Sequence, residues 1–234
     1  MNSTTRYGPE RIKEIAMGLG ADLCGVANAD RFHGAPSGHH PRDIYQDCRS
    51  VIVVAKRIPL GTLKAGTCVP YTIANRVTNQ EVDRLTSKLS VALEDLGMIA
   101  VPVPSDDPYE HWEADRRYGR GILSMRHAGN LAGLGVLGRN TLLKNDRYGS
   151  MLQLGAVLVN TDIEPDPIAT YKACPDSCHK CIDSCPVKAL DGVTVDQKLC
   201  RSVTDFVNER GHSLMKCNQC RRVCPQNQMV HEGK

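Results

Sequence analysis

Aromatic residues are scarce in this chain, at 4% of 234 positions, and no apolar run approaches the roughly 18 residues that a membrane-spanning helix needs. The basic residues are scattered and the formal net charge is only +3, so nothing in the sequence marks a basic patch for nucleic acid. The first residues contain neither a hydrophobic signal region nor an opening twin-arginine; Arg116-Arg117 is internal. These absences set aside a membrane partner and an exported chain, and the expected location is the reducing cytoplasm. The remaining composition, 41% hydrophobic and 24% charged, is that of an ordinary globular protein. Its length allows one or two domains with a core that is stable without cross-links.

Cysteine is abundant, with eleven copies, and eight of them fall into two spaced sets. The first is Cys174-x3-Cys178-x2-Cys181-x3-Cys185-Pro186; the second is Cys200, then sixteen residues, then Cys217-x2-Cys220-x3-Cys224-Pro225. A cubane iron-sulfur cluster needs four converging thiolates, and a C-x2-C-x2-C loop supplies three by wrapping its backbone round the cube. In two-cluster ferredoxins the cysteine before proline ligates the other cluster. Applied here, Cys174, Cys178, Cys181 and Cys224 hold one 4Fe-4S cluster, and Cys185, Cys200, Cys217 and Cys220 hold the other. Two departures from the bacterial ferredoxin pattern stand out. The first gap is one residue longer, and Leu214 stands where the second motif would begin. Cys200 then supplies the missing ligand from a helix expected around Leu199, Val203, Phe206 and Val207. The rival reading is a four-cysteine zinc site at Cys178, Cys181, Cys217 and Cys220, which leaves four cysteines idle and both Cys-Pro steps unexplained. A disulfide framework fits neither the length nor the compartment. Cys24, Cys48 and Cys68 remain; small buried hydrophobes are their default role, and Cys68, in a Gly/Pro loop, is the one to test as a reactive thiol.

Along the chain, Pro9 starts a helix with Ile12, Ile15, Ala16 and Leu19 on one face, and a strand follows at 22–27. Residues 30–47 read as a loop, and its His33, His39 and His40 as solvated residues. The β-branched run 51–55 reads as a strand buried on both faces. Thr78-x-x-Glu81 is a capping-box signature for a helix with Val82, Leu85, Leu89, Leu93 and Leu96 on its apolar stripe, stopped by Gly97. A strand at 99–103, a polar irregular stretch at 104–121, a helix from Ser124 to Leu131 and a strand at 151–159 complete this part. Pro165-Asp166-Pro167 marks the boundary between domains 1–165 and 166–234.

Gly133-Leu134-Gly135-Val136-Leu137-Gly138 matches G-x-G-x-x-G, but a helix precedes it and an extended segment follows, the reverse of a dinucleotide-binding turn. The glycines bring backbone close either to another segment or to a cofactor. The run 132–143, with Tyr148-Gly149, the upstream segment 48–54 and both cysteine sets, resembles the epoxyqueuosine reductases and the related reductive dehalogenases. The resemblance covers most of residues 1–225. It implies an α+β fold: a nitroreductase-like cobalamin-binding domain followed by a ferredoxin-like module with two 4Fe-4S clusters. Electrons would pass through the clusters to reduce cob(II)alamin to cob(I)alamin, which acts on the substrate. By the same resemblance the corrin is lined by Met125, Arg126, His127 and Ala128 and by Leu134, Gly135, Gly138, Arg139, Asn140, Thr141 and Leu142.

The resemblance has limits. Epoxyqueuosine reductases carry a C-terminal helical-repeat extension that grips tRNA, and this chain stops ten residues after Cys224. Their catalytic aspartate lies in an Asp-Tyr-His setting, where this chain reads Val77-Thr-Asn-Gln-Glu-Val82. Candidate proton donors are Tyr71, Asp107 and His127, with Tyr109 as a further acid. The expected function is a cobalamin-dependent iron-sulfur reductase of a small-molecule substrate, fed by a low-potential donor such as ferredoxin or flavodoxin and sensitive to oxygen. The alternative is an electron carrier or activator that serves a partner, for example a corrinoid protein, without a cobalamin of its own.

Overall fold

The computed structural model describes residues 8–228. Pro9 opens α1 (Pro9–Gly18), whose Ile12 and Ala16 are fully buried, and Gly20, at φ 105°, turns the chain into β1 (Leu23–Asn28). The loop expected over 30–47 is less irregular than its composition implies. A 3-10 turn covers Ala29–Phe32, and α2 (Pro41–Ile44) is capped by the ring of His40. β2 (Ser50–Arg57) sends Val51, Val53 and Ala55 into one core and Ile52 and Val54 into another, so both of its faces are buried as its β-branched run implies.

α3 (Val69–Glu94) begins nine residues before the capping-box threonine. Pro70 in its first turn starts it, and Thr78 lies mid-helix, its hydroxyl bonding back to the Ala74 carbonyl at 2.7 Å. Gly97, at φ 85°, follows its end. β3 (Ala100–Val103) leads into a stretch expected to be irregular that instead holds a hairpin, β4 (His111–Glu113) with β5 (Tyr118–Arg120). Then come α4 (Met125–Leu131), the two-residue strands β6 (Val136–Leu137) and β7 (Leu143–Lys144), and β8 (Leu152–Val159).

The main sheet has the order β1-β2-β8-β3 and is antiparallel throughout, with Val53 opposite both Gly25 and Ala156. One face packs under α1 and α3 through Ile12, Leu85, Leu89, Leu93 and Val157; the other meets α4 and the glycine-rich turn through Ala128, Leu134 and Leu143. Two sheet glycines set these approaches. A Cβ on Gly155 would lie 2.5 Å from Val82 Cγ1, and one on Gly25 would lie 2.2 Å from the Ala132 carbonyl oxygen. The architecture is α+β.

The remainder is built from short pieces: α5 (Lys180–Asp183), α6 (Gln197–Thr204), the hairpin β9 (Asp205–Val207) with β10 (Ser213–Met215), α7 (Gln219–Arg222) and α8 (Pro225–Gln228). Phe206 and Val207 are therefore not on the helix of Cys200. They pair with Leu214 and Ser213, an extended state that suits aromatic and β-branched side chains. The Pro165-Asp166-Pro167 segment, expected to mark the boundary, is tied to the first part of the chain. Asp166 accepts from the Val26 amide at 2.8 Å and from Lys13 Nζ at 2.5 Å, and its own amide donates to the Val26 carbonyl at 2.9 Å. Among the described residues no helix is long and apolar enough to cross a membrane.

Gly155→Val is expected to destabilise the protein by about 1–3 kcal/mol through overpacking against α3, read as a lower urea midpoint. Gly18→Ala meets nothing within 4 Å at the end of α1. It is expected to raise stability by about 0.5–1 kcal/mol in the same assay.

Candidate metal centre and adjoining cavities

α5 and α7 pack against each other, each carrying a central cysteine, Cys181 or Cys220, and each leading into a Cys-Pro step. This brings cysteines of the two sequence sets together. Burial pushes the Cys181 thiol up, and the neighbouring Cys174 and Cys224 sulfurs add to the rise. Burial also raises Cys200, with Cys217 and Cys185 contributing. Cys220 is pushed up to about 11, by burial first and then by Cys200, Cys217 and Cys181. The electrostatic neighbourhoods thus fall into two groups: Cys174, Cys181 and Cys224 in one, Cys185, Cys200, Cys217 and Cys220 in the other. Each group mixes the two sets, and Cys181 and Cys220 mark where the groups adjoin. The Ala189 amide donates to Cys185 Sγ at 3.2 Å. No disulfide joins any of the eleven cysteines. Among the described residues no three His, Cys, Asp or Glu side chains gather round one point closely enough for a single metal ion.

These donors suit a polynuclear cluster. Sulfurs close enough to raise one another's pKa, against the lowering effect of Lys144 on Cys181 and of Arg221 on Cys220, are a donor set that iron would neutralise. One positive charge is already in place. Lys144, only 4% exposed at the end of β7, points its ammonium at Cys224 Sγ (3.0 Å) and Cys174 Sγ (3.6 Å). Its backbone oxygen accepts from the Tyr171 hydroxyl at 2.6 Å. Nearby, Arg221 Nη1 donates to the Ser150 carbonyl at 2.5 Å, and the Asn227 side chain accepts from the Ser150 amide at 2.8 Å. Sequence reasoning missed Lys144, Ser150, Arg221 and Asn227. The available signal was a weak one: Lys144 directly follows the apolar Leu142-Leu143 pair.

Two cavities adjoin α4. The larger, of about 630 Å³, is walled by cationic and imidazole side chains, among them Arg120, Arg126, His33, His39 and His127. The smaller, of about 140 Å³, lies between Met125, Arg126, Leu142, Leu152 and Arg221, and so reaches the cysteine-bearing segment. Arg126 borders both and donates to the Thr141 carbonyl at 3.1 Å. Burial and the Arg126 charge lower the pKa of His127, whose Nδ1 is 2.7 Å from Ser124 Oγ.

Of the residues that the resemblance placed on the corrin, Met125, Arg126, His127 and Leu142 face these cavities. Ala128 and Leu134 are core residues, and Asn140 and Thr141 are buried. A Cβ on Gly135 would lie 2.3 Å from the Lys144 carbonyl oxygen, and one on Gly138 would lie 2.4 Å from Lys144 Cε. Both glycines therefore make room for Lys144. Arg139 reaches His179 Nε2 at 2.5 Å and the Asp176 carbonyl at 3.0 Å, toward the first cysteine set. The candidate acids are dispersed. Tyr71 is buried with Ile58, Leu63 and Met151 in a small separate core, Asp107 is on an exposed loop, and His127 faces the larger cavity. Tyr109, pushed up to about 12 by burial and by its bond to Asp106, lies under the Arg201 guanidinium beside Trp112. Burial likewise raises Cys24 to about 12 and Cys48 to about 11; Cys68 precedes the first turn of α3.

In sequence, an epoxyqueuosine reductase of Staphylococcus aureus is 34% identical over 121 residues, which is 47% of this chain and 31% of that protein. Over that stretch the chain is similar in sequence to the epoxyqueuosine reductases. It spans under a third of that relative's length in the match. The solved epoxyqueuosine reductase of Streptococcus thermophilus shares the fold, with a TM-score of 0.67 at 19% identity over 94% of this chain and 66% of that one. A solved reductive dehalogenase described as B12-dependent has a TM-score of 0.68 at 17% identity, covering 94% of this chain and 33% of that one. No protein-family model matches the chain.

In an NMR titration of the histidine rings, His127 is expected to take its proton below the ordinary value of 6.5. Arg126→Gln is expected to return its midpoint only part of the way, because burial is the larger cause.

Proposed function

We propose that the chain is an iron-sulfur oxidoreductase of the epoxyqueuosine-reductase type that passes electrons through two 4Fe-4S clusters to a bound cobalamin and reduces a small-molecule substrate. The observation that carries this reading is the mixed grouping of seven of the eight cysteines beside cavities that open onto α4. Cys174, Cys178, Cys181 and Cys224 hold one cluster, and Cys185, Cys200, Cys217 and Cys220 hold the other, within a ferredoxin-like module at 166–234. The nitroreductase-like domain at 1–165 supplies the cofactor and substrate space.

A bound cobalamin supplies low-potential cobalt chemistry that protein side chains lack. Met125, Arg126, His127 and Leu142 are the residues placed to hold it. Arg126 and Arg120 favour an anionic group of the cofactor or substrate in the larger cavity. With its pKa lowered, the His127 ring is mostly neutral at pH 7, and Ser124 occupies its Nδ1, so Nε2 is the atom left to exchange a proton. A small protein such as ferredoxin or flavodoxin delivers the electrons.

The second reading, an electron carrier or activator for a corrinoid-bearing partner, draws on the dispersal of Tyr71, Asp107 and His127, which assemble no common acid site.

Anaerobic reconstitution with cobalamin, followed by iron, sulfide and cobalt analysis and EPR, decides between them. The reductase reading expects about eight irons and one cobalt per chain, and about four irons for Cys200→Ala. Eight irons with no cobalt uptake favours the carrier, and zinc in place of iron contradicts both.

A further inference from the structure

Lys144 has no ordinary structural reason to be where it is. Burying an ammonium costs several kcal/mol unless an anion compensates. The charged groups that stabilise this one are Cys224 and Cys174, and no carboxylate is among them. The chain also makes room for it. Gly138 lies where a Cβ would be 2.4 Å from Lys144 Cε and 2.7 Å from Cδ, and Gly135 lies against its backbone. Tyr171 fixes the carbonyl of the same residue. The glycine-rich turn therefore encloses a cation and aims it at two sulfurs that come from different cysteine sets.

We propose that Lys144 sets the reduction potential of one cluster, the one ligated by Cys174 and Cys224, holding it above that of the other. This rests on the two-cluster reading given above. On one-electron reduction the cluster gains a negative charge and no covalent bond breaks. A buried ammonium that donates to a ligating sulfur at 3.0 Å stabilises that added charge far more than a solvated one could. The second group, Cys185, Cys200, Cys217 and Cys220, has no such contact with Lys144; the Ala189 amide and the Thr204 hydroxyl meet its sulfurs, and Arg221, whose charge reaches Cys220, donates to the Ser150 carbonyl and not to a sulfur. The pair of clusters is thereby made unequal. The cluster beside Lys144 becomes the better electron acceptor of the two.

The test is an EPR-monitored redox titration of the reconstituted protein with dithionite and mediators. Iron and sulfide content is measured first on the unaltered chain; failure to take up about eight irons defeats the two-cluster reading itself, before any variant is compared. With clusters in place, Lys144→Met is expected to lower the midpoint of one cluster by at least tenfold in its reduction equilibrium, about 59 mV for one electron. The other midpoint should stay unchanged. Lys144→Arg, which keeps the charge, should recover part of the difference. If Lys144→Met loses iron, Gly138→Ala is used instead. Its new methyl displaces the lysine tail, and it should lower the same midpoint. Two unchanged midpoints in an iron-replete variant, or equal shifts in both, would overturn the proposal.

Discussion

A buried polar seam joins the β7–β8 corner to the last cysteine-bearing segment, and the placement of the candidate centre depends on it. Asn227 is fully buried, Ser150 is 1% exposed, and Arg221 and Lys144 are nearly as enclosed. Every such group must find a partner inside the protein, because an unpartnered buried polar group costs more than a paired one returns. Here they find one another. Asn227 spans Ser150 and the Arg221 carbonyl, Arg221 caps the Ser150 carbonyl, and Lys144 turns to Cys224 and Cys174. A network of this kind tolerates little displacement, so it fixes how the cysteine segment sits against α4 and its cavities. Gly149, at φ 56°, belongs to the same constraint: a Cβ there would lie 2.2 Å from Asn227 Oδ1.

The glycine-rich turn acquires its meaning from this seam. Its spacing imitates a dinucleotide fingerprint, yet its glycines face protein. Gly133 meets the Pro167 carbonyl, Gly135 the Lys144 backbone and Gly138 the Lys144 side chain. The turn is a packing device that brings the end of the sheet domain against the start of the cysteine segment. Met125, Arg126, His127 and Leu142, on its flanks, are the ones left to border open space.

Much of this was legible from residue patterns, for identifiable reasons. The run 51–55 announced a strand buried twice over because β-branched residues without alternation suit only that position. The cysteine spacing, with a Cys-Pro step after each C-x2-C, pointed to two related motifs, and the structure packs their helices α5 and α7 against each other. What was not legible depended on long-range partners. Thr78 and Glu81 carry a capping signature, but Pro70 had already started the helix and left Thr78 to bond back along it. Pro165-Asp166-Pro167 has a linker's composition, but its aspartate is held by Lys13 and the Val26 amide, more than a hundred residues away. Lys144 drew no reading from the sequence, and only the fold encloses it.

Crossed ligation is the central claim, and paired substitutions read by EPR test it most directly. Cys185 lies in the first sequence set but is assigned to the cluster of Cys200. Crossed ligation therefore requires that Cys185→Ala and Cys200→Ala abolish or alter the same cluster signal, and that Cys224→Ala matches Cys174→Ala. If Cys185→Ala instead reproduces the spectrum of Cys178→Ala, each set closes on itself, and the arrangement described here is wrong.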